Sequence, residues 1–167
     1  PVFKEQIQHG GPVTLTDPKM TRFFLTYDDV ASLVIDAMEH TEGGEVFVRK
    51  MDAIRIEELA EAMIDEFAPR YGHDPSNIEI TTTGRRVAET FDEESLSERE
   101  VPRTIENESL YVVTPEQAGE NGYLSHDGID GFDPVENVTR SSERAEKLSR
   151  EEIITLLETE FEEELLQ

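Results

Sequence analysis

Four tyrosines, four histidines and one spaced run of acids are the side chains best suited to proton transfer or metal binding in this 167-residue sequence, and their spacing limits what they can do. Tyr27, Tyr71, Tyr111 and Tyr123 each lack a lysine four residues on, so no helical Tyr-x-x-x-Lys acid/base pair exists. His9, His40, His73 and His126 are scattered and polar-flanked, with no i, i+4 pair, which reads as surface histidine rather than metal ligation. Asp127, Asp130, Asp133 and Glu136 recur at three-residue intervals among glycines. A calcium-binding EF-hand loop needs acids at its first, third and fifth positions ahead of a glycine. With Gly131 in that place Asp130 fits, but Gly128 and His126 stand where ligands belong, so the segment reads as a solvated acidic loop and no metal site is expected. There is no G-x-G-x-x-G run and no G-x-x-x-x-G-K-[ST] run to cradle phosphates. No cysteine is available for a disulfide or a thiolate, so no residue is assigned a catalytic role.

Charge is the most pronounced property of the whole chain. Thirty-nine acids against fifteen bases give a net charge of -24, and eleven of the bases are arginine. A disordered acidic tail or a nucleic-acid mimic would cluster its acids, whereas here they run through every segment. The balance points instead to a halophilic protein, because at about 1 M salt the Debye length falls to roughly 3 Å and self-repulsion is largely screened. No nucleic-acid partner is expected. The apolar runs are too short to span a bilayer and no signal peptide is present, so a cytoplasmic protein with no membrane contact is expected. The glycosylation sequons at Asn107 and Asn137 then read as chance matches. The sequence opens at Pro1, inside what reads as a helix start, which suggests a fragment boundary.

The positioning elements follow from periodicity. Phe3 and Ile7 mark a short helix closed by Gly10-Gly11, and Val13 to Leu15 reads as a strand ending at the Asp17-Pro18 turn. Phe23 to Leu25 reads as extended. Thr26 is an N-cap followed by Asp28 and Asp29, and Val30, Leu33, Val34, Ala37 and Met38 continue a helix toward Gly43-Gly44. A strand from 45 to 48, a helix from Ile56 to Phe67 and a strand from 78 to 82 come next. Residues 85–107 read as irregular, Leu110 to Val113 as the last strand and 117–138 as a loop. The capping box from Ser149 to Glu152 opens a final helix with Ile154, Leu157, Phe161 and Leu165 on one face. Alternating strands and helices in a chain of this length indicate the α/β class and one main core.

The run Gly10-Gly11-Pro12-Val13-Thr14-Leu15-Thr16-Asp17-Pro18-Lys19-Met20-Thr21-Arg22-Phe23-Phe24 resembles the signature G-G-P-V-T-V-T-D-P-x-M-T-R-F-F of the CapD-like polysaccharide biosynthesis family. These are extended short-chain dehydrogenases/reductases that include UDP-N-acetylglucosamine 4,6-dehydratases and related 4-epimerases. The resemblance continues through Gly43 to Val48 and the following helix. It loosens at Gly84 to Thr90, where Gly84, Arg86 and Glu89 match G-x-R-P-G-E-K while Val87, Ala88 and Thr90 depart from it, and it resumes at Tyr111 to Pro115.

The resemblance implies the C-terminal, substrate-binding part of such an enzyme, without its N-terminal Rossmann half. Residues 1–115 would be the nucleotide-sugar-binding part, 116–140 an acidic loop and 141–167 a C-terminal amphipathic helix region. A UDP-sugar is the implied ligand, with Arg22 and Arg86 on the diphosphate, where a planar guanidinium gives paired charge-assisted bonds. The alternative for each arginine is a surface ion pair. The resemblance puts Pro1, Val2, Phe3, Val13, Thr14 and Leu15 around the uracil, with core packing as the alternative for Phe3, Val13 and Leu15. It puts Glu89 on the ribose or on the orientation of Arg86. NAD(P) belongs to the intact, homo-oligomeric family enzyme and none is expected to be held by this chain. The helix from Tyr27 and the strand 45–48 would lie against the cofactor part. The other functional readings are a UDP-sugar 4-epimerase, a non-catalytic UDP-sugar-binding module and an acidic interaction module.

Overall fold

A computed structural model describes residues 1–115, 129–135 and 137–161. It has the α/β composition expected, arranged as three small sheets with helices packed between and beside them. The first helix, α1 (Val2–Gln8), leads into β1 (Val13–Leu15), which pairs in parallel with β5 (Ile80–Thr82). The turn joining α1 to β1 explains the glycine pair. Gly10 and Gly11 both have φ of +84°, and a Cβ on Gly11 would stand 3.0 Å from the Ile78 side chain, so only glycine fits.

The second sheet pairs β2 (Thr21–Phe23) antiparallel with β4 (Ala53–Arg55). The third runs β3-β7-β6-β8, all antiparallel, with β3 (Val46–Arg49), β6 (Thr104–Glu106), β7 (Leu110–Val113) and β8 (Asp133–Pro134). Three expectations are corrected here. The extended stretch lies two residues earlier than Phe23 to Leu25, because Thr21 to Phe23 register with Arg55 to Ala53. Strand β6 falls inside the segment read as irregular, where Thr104 and Ile105 are buried against β7. Finally β8 follows the strand read as last, and Ile129 and Phe132 beside it enter the core. Residues 116–128 and 136 of the expected acidic loop, among them Tyr123, His126, Asp127, Gly128 and Glu136, lie outside the described residues, as does Leu165.

The main core gathers Ile7, Val13, Leu15 and Ile54 around the inner face of α3 (Ile56–Phe67). The last helix, α4 (Arg150–Glu160), closes this core with Ile153 and Leu157, and Phe161 meets Phe67 edge-on at 5.5 Å. Its fully buried isoleucine is Ile153, with Ile154 half-buried beside it.

Helix α2 (Tyr27–His40) behaves differently, for it buries no residue. It sits on the third sheet through Leu33, through an edge-on contact of His40 with Phe132, and through Arg49, which bonds Asp29 at 3.3 Å and lies 3.9 Å from Asp36. Its other large apolar side chains are left in solvent, with Tyr27 84%, Ile35 56% and Met38 74% exposed. The outer edge of β3 is likewise unpaired among the described residues. The start of α2 is held by a capping box: the Asp29 N–H donates to the Thr26 hydroxyl at 3.0 Å and the Asp29 carboxylate accepts from the Thr26 N–H at 3.1 Å. The Thr26 hydroxyl, with help from its amide and from Arg49, holds the Asp29 carboxyl below its ordinary range.

Replacing Thr26→Ala should cost about 1 kcal/mol in urea unfolding at neutral pH. Because the folded-state pKa of Asp29 is lowered, its share of that stability is present at pH 7 and is lost as pH falls through the folded value. The gap between Thr26→Ala and the parent should therefore narrow in acid, and an NMR titration of Asp29 should move toward its ordinary value in the variant.

Candidate functional site

The expected uracil-side residues divide by exposure. Val13 and Leu15 are fully buried in the main core, and Phe3 is half-buried against it, so their side chains pack. Pro1 and Val2 are exposed at the start of α1. The Val13 N–H donates to the Glu79 carbonyl at 2.9 Å, and the Leu15 carbonyl accepts from the Thr83 N–H at 2.7 Å. Thr14 is gripped by a residue that sequence reasoning missed. Gln6 accepts the Thr14 N–H at 3.0 Å and donates its amide to the Thr14 hydroxyl at 2.7 Å, locking α1 onto β1. No motif announces this contact.

On β2 the environment is polar. Arg22 is 28% exposed, and its guanidinium meets the carbonyls of Thr21 at 2.7 Å, Phe91 at 2.9 Å and Thr90 at 3.1 Å. Its Nε lies 3.6 Å from the Glu93 carboxylate, whose other oxygen accepts the Phe23 N–H at 2.9 Å. Next to it is a buried hydroxyl pair. The Thr21 hydroxyl is 2.7 Å from Asp92 and 2.6 Å from the fully buried Ser142 hydroxyl, which also accepts the Glu93 N–H at 2.9 Å. The Asp92 carboxylate can only accept, so the Thr21 proton goes to Asp92, and the one Ser142 proton faces both the Thr21 hydroxyl and, at 3.2 Å, the Thr21 carbonyl.

These segments wall a cleft of about 900 Å³ lined by Phe23, Leu25, Met51, Thr90, Ser95 and Ser141, together with Asp92, Glu93, Glu94 and Glu143. Four carboxylates in one cleft oppose an anionic ligand, and no arginine or lysine among the described residues lines it. The second arginine stands on the neighbouring limb, residues 84–91. Arg86 is exposed, and no group among the described residues pairs with its guanidinium. Its N–H donates to the Glu89 carboxylate at 3.0 Å while the Glu89 N–H returns a bond to the Arg86 carbonyl at 3.1 Å. Glu89 is thus brought to Arg86, through the backbone. Arg85 stacks on the Phe91 ring at 4.4 Å.

Other candidates sit apart from this region. His9, His40 and His73 each engage a main-chain carbonyl, of Glu5, Asp36 and Gln8 respectively. Asp130 and Asp133 are exposed, and among the described residues no three acids or histidines converge as a metal site would require. No helix among the described residues is long and apolar enough to cross a membrane.

Known proteins are similar to this chain in sequence and in fold. The family described as polysaccharide biosynthesis protein matches residues 1–115. An uncharacterized membrane protein of Methanocaldococcus jannaschii is 39% identical over 94% of this chain and 44% of its own length. The capsular polysaccharide biosynthesis protein CapD of Staphylococcus aureus is 38% identical over 66% of this chain and 18% of its own. A UDP-glucose 4-epimerase of Rickettsia massiliae is 33% identical over 95% and 44%. Among solved structures, Pen from Bacillus thuringiensis superposes with a TM-score of 0.76 at 28% identity, over 96% of this chain and 44% of that one. The chain therefore spans less than half the length of these relatives.

Replacing Ser142→Ala leaves the Glu93 N–H without its acceptor and should cost about 1–3 kcal/mol in chemical denaturation. An unchanged midpoint would mean that the buried hydroxyl pair contributes no net stability.

Proposed function

This chain belongs to the polysaccharide biosynthesis protein family, and on that premise we propose that it is the substrate-binding, C-terminal portion of a UDP-sugar enzyme. The observation that carries the reading is Arg86, a guanidinium unpaired among the described residues on a tethered limb in a chain of net charge -24. A diphosphate suits it, because the planar fork gives two parallel charge-assisted bonds and never deprotonates. Glu89 supports the same reading by fixing the backbone on which Arg86 stands.

The reaction proposed is that of a UDP-N-acetylglucosamine 4,6-dehydratase. NAD(P), when bound by the rest of such an enzyme, supplies hydride removal at C4 of the sugar and hydride return at C6. The 167 residues hold no glycine-rich dinucleotide fingerprint, so they do not fit that cofactor and their part is to bind and orient the nucleotide. The Rickettsia relative favours a second reading, 4-epimerisation, over nearly the whole chain. The exposed apolar side chains of α2 support a companion part in both readings, since Tyr27, Ile35 and Met38 are poorly placed in water. The spread of acids supports a salt-rich cytoplasm as the setting.

Isothermal titration of this chain with UDP should show binding, and Arg86→Ala should weaken it about tenfold. Equal affinity for uridine, which lacks the diphosphate, would overturn the reading, as would turnover of UDP-N-acetylglucosamine by this chain with NADP. Separately, the melting temperature should keep rising with KCl up to about 1 M, where the Debye length is near 3 Å. A plateau by about 0.2 M would argue against salt adaptation.

A further inference from the structure

We propose that Arg22 is a positioning residue, which sets the limb 84–91 and through it Arg86, and is not itself a diphosphate ligand. The ligand half of this statement rests on the UDP-sugar reading; the clamp half does not.

A guanidinium has five N–H donors. In Arg22 both Nη1 donors are engaged by the Thr21 and Phe91 carbonyls, Nη2 faces the Thr90 carbonyl and the Met20 sulfur at 3.6 Å, and Nε faces Glu93. Turning this group to a diphosphate would strip the Thr90 and Phe91 carbonyls of these donors and set the ligand's charge close to Glu93. The same bonds have a clear structural effect. They anchor the C-terminal end of the limb to β2, where the Phe91 carbonyl also accepts the Thr21 N–H at 3.0 Å. The N-terminal end is anchored to β1, because the Thr83 N–H and hydroxyl both donate to the Leu15 carbonyl. Between these anchors the Arg86–Glu89 turn and the stacking of Arg85 on Phe91 fold the limb, leaving the Arg86 guanidinium outward. Lysine at position 22 would carry three donors on one atom and could not reproduce the planar fork.

The test uses the 167-residue chain and its Arg22→Lys, Arg22→Ala, Arg86→Ala and double Arg22→Ala/Arg86→Ala variants. Without ligand, amide exchange across 84–91 should quicken about tenfold in both Arg22 variants, while α3 and the limb of Arg86→Ala keep parent rates. In UDP titrations each single alanine variant should lose about tenfold, and the double variant should be within about twofold of Arg86→Ala. Losses that multiply would make Arg22 a ligand in its own right and overturn the proposal, and so would an unchanged limb in Arg22→Ala. Full rescue by Arg22→Lys would also overturn it. If Arg22→Ala fails to fold, Arg22→Lys and its double variant with Arg86→Ala carry both arms. If the parent takes up no UDP, the functional reading fails, and limb exchange alone decides whether the clamp exists.

Discussion

The hydroxyl pair of Thr21 and Ser142 is the point on which the arrangement of this molecule turns. It joins a strand near the start of the chain to a segment 121 residues later, and Asp92 and Glu93 bond to the same two residues. A buried hydroxyl without a partner is costly, so each of the three segments is acceptable in the interior only while the other two are present. The cleft beside it, the register of β2 with β4 and the anchor of the limb 84–91 all inherit their place from this junction.

Electrostatics then divides the neighbourhood into two regions of opposite use. The cleft carries four carboxylates and repels anions, although two of them, Asp92 and Glu93, are committed to internal bonds. The limb carries adjacent arginines, one stacked on an aromatic ring and one reaching outward. In a chain with so few bases this separation matters more than the size of the cavity.

Much of the fold was legible in the residues. The four helices follow from apolar spacing, and the caps at Thr26 and Ser149 stand where the sequence puts them, because capping is a local interaction. The three-residue strands β4 and β6 were not legible, since so short a run carries no period; β4 is extended by pairing with β2 across α2 and β3, and β6 by its hairpin with β7. The same limit applies to the site. Arg22 and Arg86 stood out by motif, but nothing local tells that the first bonds carbonyls sixty-eight and sixty-nine residues away while the second points outward. The lock of Gln6 on Thr14 was invisible for the same reason, as its two bonds depend on the angle at which α1 meets β1.

The parallel pairing of β1 with β5 has a kinetic consequence. Parallel strands cannot be joined by a tight turn, and here the whole of α2 and α3 lies between Val13 and its partner Ile80. The helices can begin to form from local contacts as soon as their residues exist. The β1–β5 ladder has to await the closing of a long loop, and the Thr21–Ser142 junction a longer one still. On a ribosome, then, the segment that bears the glycine-proline signature is made well before the partners that complete it. Until residues 142–160 emerge, β2 has neither Ser142 nor the helix α4 that closes the core behind it.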